Sequence, residues 1–427
     1  MSRLTVSWTA RSVAIAALVA GTATAAGRTG AGAADPAVHG WVSTWTASAM
    51  APSSLVSPVL TLDSQTVRNI VYTSAGGSDL RIRVSNAFGE QPVTVGAATV
   101  ARQLRGAEVD PATAHALTFG GSRSVVLPRG GSVLSDPVRM AVPPLATLAV
   151  SLYLAGPTGQ VTYHQDGQQT SYLAAGDHAA DTAPDAFTTT VGSWFFVDAV
   201  QVRGPASGAI VALGDSITDG YQSQVGANTR WPNHLARTLA ARHGPSAPAV
   251  VDAGIGGNRV LNPSPCFGVR LLDRLDRDVF SQPGVRAVVL LEGVNDLGFS
   301  QTPNSGCTAP NTDVSVAELT AAYRTVIAAA HRHGLRVYGG TLLPFEGAGY
   351  WSPAAEQKRI AVNAWIRRSG AFDGVVDFAS LMAYPGHPEM LAPQYDSGDH
   401  LHPNDGGYQA MADAVSSASL GTAGAHS

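Results

Sequence analysis

Downstream of Gly204 the chain alternates short, continuously apolar runs with helical patterns, and this alternation limits the possible folds more than any other feature. The apolar runs are typical of strands in a parallel sheet that is buried on both faces. They cover residues 209–213, 249–251, 287–291, 335–338 and 375–378. Strands that alternate with helices predict a three-layer α/β domain, in which helices cover both faces of the sheet.

Three segments between these runs carry signals for helices. Ser315 and Glu318 form a capping box ahead of an amphipathic pattern that Gly334 ends. Pro353 follows Ser352, which places a proline at the first position of a second helix. A third pattern follows Trp231-Pro232. The sequence therefore supplies both kinds of element that an α/β domain needs.

Upstream of Gly204 the pattern has a period of two. In residues 80–85, Leu80, Ile82 and Val84 alternate with polar side chains, as in a strand with one buried face. Similar runs, separated by turn residues, cover residues 66–73, 93–100, 124–127, 147–154 and 194–202. We expect an all-β sandwich domain over residues 40–203, a short linker, and the α/β domain over residues 208–420.

Composition narrows the range of partners. The 427 residues are 45% hydrophobic and carry a formal net charge of −4, without a basic block. Nucleic acid is therefore an unfavourable partner. No run is long and apolar enough to predict stable insertion into a membrane.

The first 34 residues resemble an export signal followed by a flexible lead-in. Arg3 and Arg11 supply positive charge, residues 13–20 are apolar, and Ala23 and Ala25 flank a small-residue cleavage site. The alternative is a disordered Ala-rich tail. The order of charge, apolar run and small residues favours export, so we expect a secreted protein.

The chain has two cysteines, Cys266 and Cys307. In an exported protein an even pair favours a disulfide. The alternative is two separate buried thiols. Neither cysteine has the spacing of a metal or redox motif.

Ser216 is the candidate nucleophile. It closes the triplet Gly214-Asp215-Ser216 at the end of an apolar run, where the carboxyl edge of a parallel sheet binds ligands. The second glycine of a Gly-x-Ser-x-Gly elbow is missing, which argues against an ordinary α/β-hydrolase. Taken alone, the triplet also fits a turn that caps a helix.

Asp399 and His402 are the candidates for the other two members of a Ser-His-Asp triad. His402 would take the proton of the serine hydroxyl, and Asp399 would orient the imidazole. His400 is a competitor for the same role. His400 and His402 also form a possible metal pair, but no further ligands at suitable spacing accompany it, so we expect neither metal nor cofactor.

A serine esterase also needs donors for the negative oxygen of its tetrahedral intermediate. The N–H of Ser216 is one candidate, and the Asn295 side chain in Gly-Val-Asn-Asp is another. A glycine N–H within residues 254–257 is the third, because glycine permits close approach of the backbone. The alternative is that these segments are only a turn and a helix cap.

These pieces occur in the order used by the SGNH hydrolase superfamily, also called GDSL esterases/lipases, and the chain from residue 209 to 420 resembles that family. The resemblance assigns the four family positions to Ser216, Gly257, Asn295 and His402, with Asp399 in Asp-x-x-His. The first block reads Gly-Asp-Ser-Ile, a conservative departure from Gly-Asp-Ser-Leu. The resemblance implies a flavodoxin-like sheet and metal-independent hydrolysis of esters or thioesters.

Upstream motifs, Trp-Val-Ser-Thr-Trp from Trp41 and Arg-Val-Ser-Asn-Ala-Phe-Gly from Arg83, resemble a secreted subgroup similar to the rumen arylesterase associated with xylan degradation. We therefore expect hydrolysis of short-chain acyl or aryl esters, with acetylated plant polysaccharide as one substrate. The alternatives are a lipase or phospholipase of the same superfamily and a non-catalytic carbohydrate-binding protein. For the latter, Trp41, Trp45 and Trp194 could stack on sugars, although core positions are more common for such residues.

Overall fold

The computed structural model describes residues 40–57 and 59–418. The predicted export signal lies outside these residues, as do the last two residues of the predicted α/β domain. The described residues form one compact unit. Within it, residues 41–203 form what we call the β unit, and residues 209–418 form the α/β unit.

The β unit consists of strands and, within its described residues, a single short 3-10 helix, Pro111–Thr113. Its strands are β1 (Trp41–Thr46), β2 (Thr61–Tyr72), β3 (Gly77–Ser85), β4 (Val93–Arg105), β5 (Glu108–Val109), β6 (His115–Ala116), β7 (Val125–Leu127), β8 (Ser132–Leu134), β9 (Val138–Val142), β10 (Thr147–Gln160), β11 (Tyr163–His164), β12 (Ser171–Ala175), β13 (Thr189–Val191), β14 (Trp194–Phe195) and β15 (Val197–Arg203).

The strands of the β unit pair in antiparallel fashion. One sheet follows the order β13-β12-β2-β10-β4-β5, a second follows β1-β15-β3-β8, and β11 pairs with β14. Leu80, Ile82 and Val84 of β3 are fully buried, as the alternating pattern predicts. They join one apolar cluster that contains most of the buried residues of this unit.

The α/β unit alternates strands and helices. In chain order its elements are β16 (Ala209–Gly214), α1 (Ser216–Asp219), α2 (Trp231–His243), β17 (Ala249–Gly254), α3 (Leu271–Leu275), β18 (Val285–Leu291), α4 (Val294–Phe299), α5 (Val316–Arg332), β19 (Arg336–Gly340), α6 (Pro353–Arg368), β20 (Gly374–Val376), α7 (Phe378–Met382), β21 (Ala383–Tyr384), β22 (His387–Leu391) and α8 (Asp405–Ser417). A 3-10 helix, Gly244–Ser246, follows α2, and a π-helical turn, Asp276–Phe280, follows α3.

Five parallel strands form the sheet of this unit in the order β17-β16-β18-β19-β20. The first strand in the chain, β16, therefore lies between the second and the third. This order, 2-1-3-4-5, reverses direction at β16, and ligands of open α/β sheets bind at the carboxyl ends of the strands at such a point. The sheet thus places the end of β16 where a site is expected.

Local sequence explains where several helices begin. Ser315 and Glu318 form the predicted capping box of α5, and Ser352 caps α6 ahead of Pro353. The predicted strand over residues 375–378 is partly wrong, because β20 ends at Val376. Asp377 caps α7 through its side chain, so Phe378 already belongs to a helix.

The two units share a buried boundary. Val42 and Ala75 of the β unit pack with Ala209 and Ala249 of the parallel sheet. Ser43 Oγ donates a hydrogen bond of 2.8 Å to Gln282 Oε1, across the same boundary. Apolar packing and buried hydrogen bonds therefore both hold the β unit against the α/β unit.

Cys266 and Cys307 form a disulfide, which confirms the predicted pairing. In the part of the chain that the structure describes, no helix combines the length and the apolar character needed to cross a membrane.

Candidate functional site

Ser216 lies directly after β16, at the carboxyl end of the parallel sheet. Asp215 caps α1 by accepting the N–H of Ile217 on its side chain (3.0 Å), so Ser216 is the first residue of a helix. Gly214 leaves no room for a side chain, since a Cβ there would lie 2.2 Å from Thr218 Oγ1 and 2.3 Å from the Leu291 carbonyl oxygen. This tight turn fixes the direction in which Ser216 leaves the sheet.

The structure brings Ser216, His402 and Asp399 together although 186 residues separate Ser216 from His402. Ser216 Oγ lies 2.8 Å from His402 Nε2, and Asp399 Oδ2 lies 2.7 Å from His402 Nδ1. The serine and histidine are 6% and 8% exposed. The three side chains thus form one continuous hydrogen-bonded chain.

Asp399 determines how the imidazole is protonated. Burial pushes the pKa of Asp399 up, but hydrogen bonds from the His402 side chain and from the backbone of His402 and Leu401 outweigh it and hold the pKa well below its ordinary value. An ionised carboxylate can only accept, so Nδ1 of a neutral His402 carries the proton. Nε2 then has a free lone pair that faces the Ser216 hydroxyl.

His400 is not part of this chain of hydrogen bonds. Its Nδ1 lies 2.6 Å from Asp396 Oδ2, and its backbone has a φ of +61°. The ring is turned toward Asp396 and is largely exposed. Among the described residues, no group of three or more His, Cys, Asp or Glu side chains is arranged to hold a metal ion.

Backbone hydrogen bonds distinguish among the glycines of the loop 254–258, which we call the glycine loop. The N–H of Gly254 donates to Asp252 Oδ1 (2.8 Å), and that of Gly256 donates to Asp219 Oδ2 (3.1 Å). No acceptor within the described ranges takes the N–H of Gly257. Gly257 is therefore the glycine whose N–H remains available for a ligand.

Gly257 also needs to be a glycine. Its φ is +69°, and a Cβ there would lie 2.4 Å from the Phe267 ring. Phe267 follows Cys266 of the disulfide and stacks on Phe299 with ring centroids 5.9 Å apart. The disulfide-linked segment thus packs against the glycine loop.

Asn295, the second residue of α4, is held by its neighbours. Tyr350 donates its hydroxyl to Asn295 Oδ1 (3.0 Å), and Asn295 Nδ2 donates to the carbonyl of Asn258 (3.0 Å). These two bonds identify the oxygen and nitrogen ends of the amide. One N–H of Asn295 stays free beside the residue that follows Gly257.

A buried arginine ties the strand ends beneath the site together. Arg274 is fully buried and donates to the carbonyls of Gly214 (2.9 Å) and Ala253 (2.7 Å). It also pairs with Glu292 at 3.2 Å, although burial keeps the pKa of that carboxyl well above its usual range. Three neighbouring strand ends are thereby held by one guanidinium.

A carboxylate of the β unit lies next to the glycine loop. A Cβ placed on Gly256 would lie 2.7 Å from Asp166 Oδ2. Burial, together with the nearby charge of Asp219, raises the pKa of Asp166 to about 6, while His164, His402 and Arg230 act in the opposite direction. The β unit therefore contributes a carboxyl group that interacts electrostatically with His402.

Sequence patterns did not predict the roles of Tyr350, Arg274 or Asp166. Each lies outside the four motif blocks and reaches the site only through the tertiary fold. The tryptophans considered for sugar stacking are core residues, since Trp41, Trp45 and Trp194 are 4–6% exposed. Their rings are not available as a platform for a carbohydrate.

Comparison with protein families gives one match over this part of the chain. Residues 212–410 match the model of the GDSL-like Lipase/Acylhydrolase family, and they include all the site residues described above except Asp166. The α/β unit is therefore similar to that family over this segment. No curated protein matches the chain.

Several solved structures are similar to the chain at low identity. A putative lipolytic protein of the G-D-S-L family from Desulfitobacterium hafniense is 20% identical, with 49% of this chain and 97% of that chain covered and a TM-score of 0.36. A variant of an acetyl xylan esterase from Geobacillus stearothermophilus is 21% identical, with coverages of 49% and 93% and a TM-score of 0.38. A putative acylhydrolase from Bacteroides fragilis is 22% identical, with coverages of 48% and 84% and a TM-score of 0.36.

Proposed function

We propose that this protein is a secreted serine esterase that hydrolyses carboxylic esters through an acyl-enzyme. The observation that carries the proposal is the hydrogen-bonded chain from Ser216 through His402 to Asp399. A serine hydroxyl is a weak nucleophile unless a base takes its proton, and here a base faces it at 2.8 Å. The family match over residues 212–410 supports the same class of reaction.

In the first half of the reaction, Ser216 Oγ attacks the ester carbonyl while its proton moves to His402 Nε2. Asp399 stabilises the imidazolium that results and keeps the ring oriented. The proton then passes from Nε2 to the leaving alcohol oxygen as the carbon–oxygen bond breaks. In the second half, water attacks the acyl carbon with the same base, and Ser216 leaves with its proton restored.

The carbonyl oxygen becomes negative in both tetrahedral intermediates and needs fixed donors. We assign this role to the N–H groups of Ser216 and Gly257 and to the free N–H of Asn295. Ser216 is the first residue of α1, and Asn295 lies in the first turn of α4. No metal or cofactor takes part in this mechanism.

We propose esters with short acyl or aryl groups as substrates, with acetylated plant polysaccharide among them. The support is an aromatic cluster beside the donors: Phe267 stacks on Phe299, and Tyr350 meets Phe299 edge to face at 5.4 Å. Flat rings next to Gly257 and Asn295 favour compact or aromatic groups. The resemblance of the upstream motifs to a xylan-associated subgroup supports acetylated plant polysaccharide as a substrate.

We also propose the two-domain architecture that the sequence predicts. The parallel sheet and its helices form a three-layer SGNH domain, and the antiparallel strands before it form a β sandwich. Two separate apolar clusters support the division, one inside the α/β unit and one mostly inside the β unit.

The test is hydrolysis of p-nitrophenyl esters, from acetate to palmitate, by the mature protein and by Ser216→Ala. We expect turnover that is highest for acetate and is lost in the variant. Highest turnover with long acyl chains would indicate a lipase instead of an esterase for short acyl groups. No turnover above the variant at any length, together with retention on immobilised acetylated xylan, would indicate a binding protein instead.

A further inference from the structure

A second histidine–carboxylate pair joins the β unit to the helix that carries Ser216. His164, at the end of β11, places Nε2 2.9 Å from Oδ1 of Asp219, the last residue of α1. Both side chains are buried, with 3% and 4% of their surface exposed. A contact between residues 55 positions apart in sequence therefore lies inside the boundary between the two units.

The other ring nitrogen of His164 fixes the direction of the hydrogen bonds. Nδ1 lies 2.9 Å from the carbonyl oxygen of Ser48, which can only accept. Burial lowers the pKa of His164, but the charge and hydrogen bond of Asp219 and the bond to Ser48 outweigh it and raise the pKa to about 9. At neutral pH both ring nitrogens carry a proton and the ring is a cation. It donates one hydrogen bond to Ser48, which lies just after β1, and one to Asp219 of α1.

The Asp219 carboxylate uses its second oxygen on the glycine loop. Oδ2 accepts the N–H of Gly256 at 3.1 Å, and Gly256 precedes Gly257. A Cβ on Gly254 would lie 2.3 Å from the backbone nitrogen of Asp219, so helix and loop are in direct contact. One carboxylate thus links the element that begins with Ser216 to the loop that contains Gly257.

Arg230 reinforces this link from the same side. Its Nε donates to the Asp219 carbonyl at 2.7 Å, and its Nη2 donates to the carbonyl of Gly167 in the β unit. The Trp194 ring packs beside both cations, 5.4 Å from the His164 ring and 5.3 Å from the Arg230 guanidinium carbon. Asp219 is therefore surrounded by His164 and Trp194 from the β unit and by Arg230 from its own unit.

We propose that His164 is a positioning residue for the oxyanion donors, so that the β unit completes the active site of the α/β unit. His164 holds Asp219, and Asp219 holds the spacing between the Ser216 turn and the glycine loop. The inference rests on the proposed function for its kinetic consequence. Its structural part, the fixed position of the glycine loop, does not depend on any activity.

The physical reason is that donors stabilise a tetrahedral oxyanion only when they are fixed before the reaction begins. A buried charged pair holds its geometry better than a solvated one, because neither partner can exchange its bond for one to water. A loss of His164 would leave Asp219 free to turn away from Gly256. The N–H of Gly257 would then sample positions away from the oxyanion.

The experiment compares His164→Ala and His164→Gln with Ser43→Ala in the full chain. Glutamine can still donate to Asp219, whereas alanine cannot. Ser43→Ala removes a buried hydrogen bond of the same boundary, to Gln282, that has no contact with the site. The readouts are kcat and KM for p-nitrophenyl acetate and amide hydrogen exchange of peptides that cover residues 254–258.

We expect His164→Ala to lower kcat by about 100-fold with little change in KM, because the loss falls on the transition state. Exchange over residues 254–258 should accelerate in this variant. His164→Gln should recover part of both effects, and Ser43→Ala should change neither. If His164→Ala does not fold, His164→Gln is compared with the wild type, and an intermediate loss of kcat with faster exchange is expected.

Wild-type kcat and exchange in a folded His164 variant would overturn the proposal. So would an equal kcat loss in Ser43→Ala, since that would assign the effect to a general loosening of the boundary. If the wild type hydrolyses no ester, the proposed function fails, but the exchange comparison still decides the structural part. If amide exchange over residues 254–258 is the same in His164→Ala as in the wild type, the proposal that His164 fixes the glycine loop is overturned.

Discussion

At the scale of single residues, the triad leads to the most direct prediction. Ser216→Ala and His402→Ala should each lower kcat by about 10⁴-fold or more, because either change removes the nucleophile or its base. Asp399→Asn should lower it less, since His402 remains. Ester hydrolysis by purified variants measures this, with His400→Ala as a control that should stay near the wild type. A loss in His400→Ala equal to that in His402→Ala would contradict the assignment.

Tyr350 gives a second prediction, because its hydroxyl holds the oxygen of the Asn295 amide. Asn295→Ala should lower kcat by about 10² to 10³-fold, as expected for a lost oxyanion donor. Tyr350→Phe should lower kcat by about tenfold with KM unchanged, because the amide stays but can rotate. Steady-state kinetics of both variants provide the measurement. A larger effect on KM than on kcat would instead place Tyr350 in substrate binding.

His164 gives a prediction for stability against pH. Its folded pKa of about 9 exceeds its ordinary value of 6.5, so its contribution is fully present below pH 6.5 and is lost as pH rises through 9. The charged groups around it are Asp219, Asp166 and Asp252, and Arg230 packs beside the same Trp194 ring. The contribution is on the order of 3 kcal/mol.

Urea unfolding of the wild type and His164→Gln between pH 6 and 10 measures this contribution. The difference in unfolding free energy between the two proteins should shrink as pH rises from 6.5 through 9. Groups that do not interact with His164 titrate equally in both proteins and cancel from the difference. The charge of His164 lowers the pKa of Asp166 and of Asp252, so these two carboxyls also contribute to the difference near neutral pH. A difference that stays constant over this range would mean that His164 is neutral in the folded protein.

The residues that sequence analysis found differ from those it missed in one physical respect. Ser216, Asp399 and His402 lie in short motifs whose chemistry is visible from neighbouring residues. Tyr350 and His164 act through contacts with residues far away in the chain, and a lone tyrosine or histidine carries no local sign of such a contact. The choice of Gly257 over Gly254 and Gly256 needed the family resemblance, because the sequence does not show that the N–H groups of Gly254 and Gly256 already have acceptors.

At the scale of elements, the disulfide-linked segment supplies a fourth prediction. Cys266 and Cys307 close a loop with a sequence separation of 41, and Phe267 presses against the glycine loop. The double variant Cys266→Ser/Cys307→Ser should lose about 4 kcal/mol of unfolding free energy on the chain-entropy account. Its kcat should also fall by about tenfold, because Phe267 loses its anchor.

Urea unfolding and ester kinetics test the two parts of this prediction separately. Wild type treated with a thiol reductant should behave as the double variant does. A variant that loses stability but keeps the wild-type kcat would show that the segment is only a structural brace.

Element boundaries were predictable where a capping residue marks them. Ser315 and Ser352 marked the starts of α5 and α6, and both helices begin where these residues predict. The strand β20 is shorter than its apolar run, because Asp377 caps the helix that follows. Strand β2 is longer than its run of residues 66–73, because it pairs along β10 as far back as Thr61. The length of a strand depends on the strand it pairs with, and the local sequence pattern does not reveal that partner.

At the scale of the whole molecule, the boundary between the units predicts that the α/β unit does not fold well by itself. A chain that begins at residue 208 would expose Ala209 and Ala249 and would leave Arg274 and Asp219 without Ser48 and His164. We expect little soluble protein and no ester turnover from it. A chain that begins at residue 40 should match the full-length protein.

Soluble yield, circular dichroism and ester turnover of the two truncated chains test this expectation. Full activity of the chain that begins at residue 208 would contradict it. The predicted boundary between the two units rests on the change of hydrophobic period near Gly204. The sequence does not show that polar side chains of one unit form hydrogen bonds with the other unit, because polar residues such as these are equally common on protein surfaces.

Arg274 has a consequence for the time course of folding. Its guanidinium contacts Ser48, 226 residues earlier in the chain, and also the ends of β16 and β17. A contact between such distant segments forms late, because a long loop must close first. During refolding, the helical and strand signal should therefore recover before the catalytic turn is assembled, and ester hydrolysis should return as a separate, slower phase.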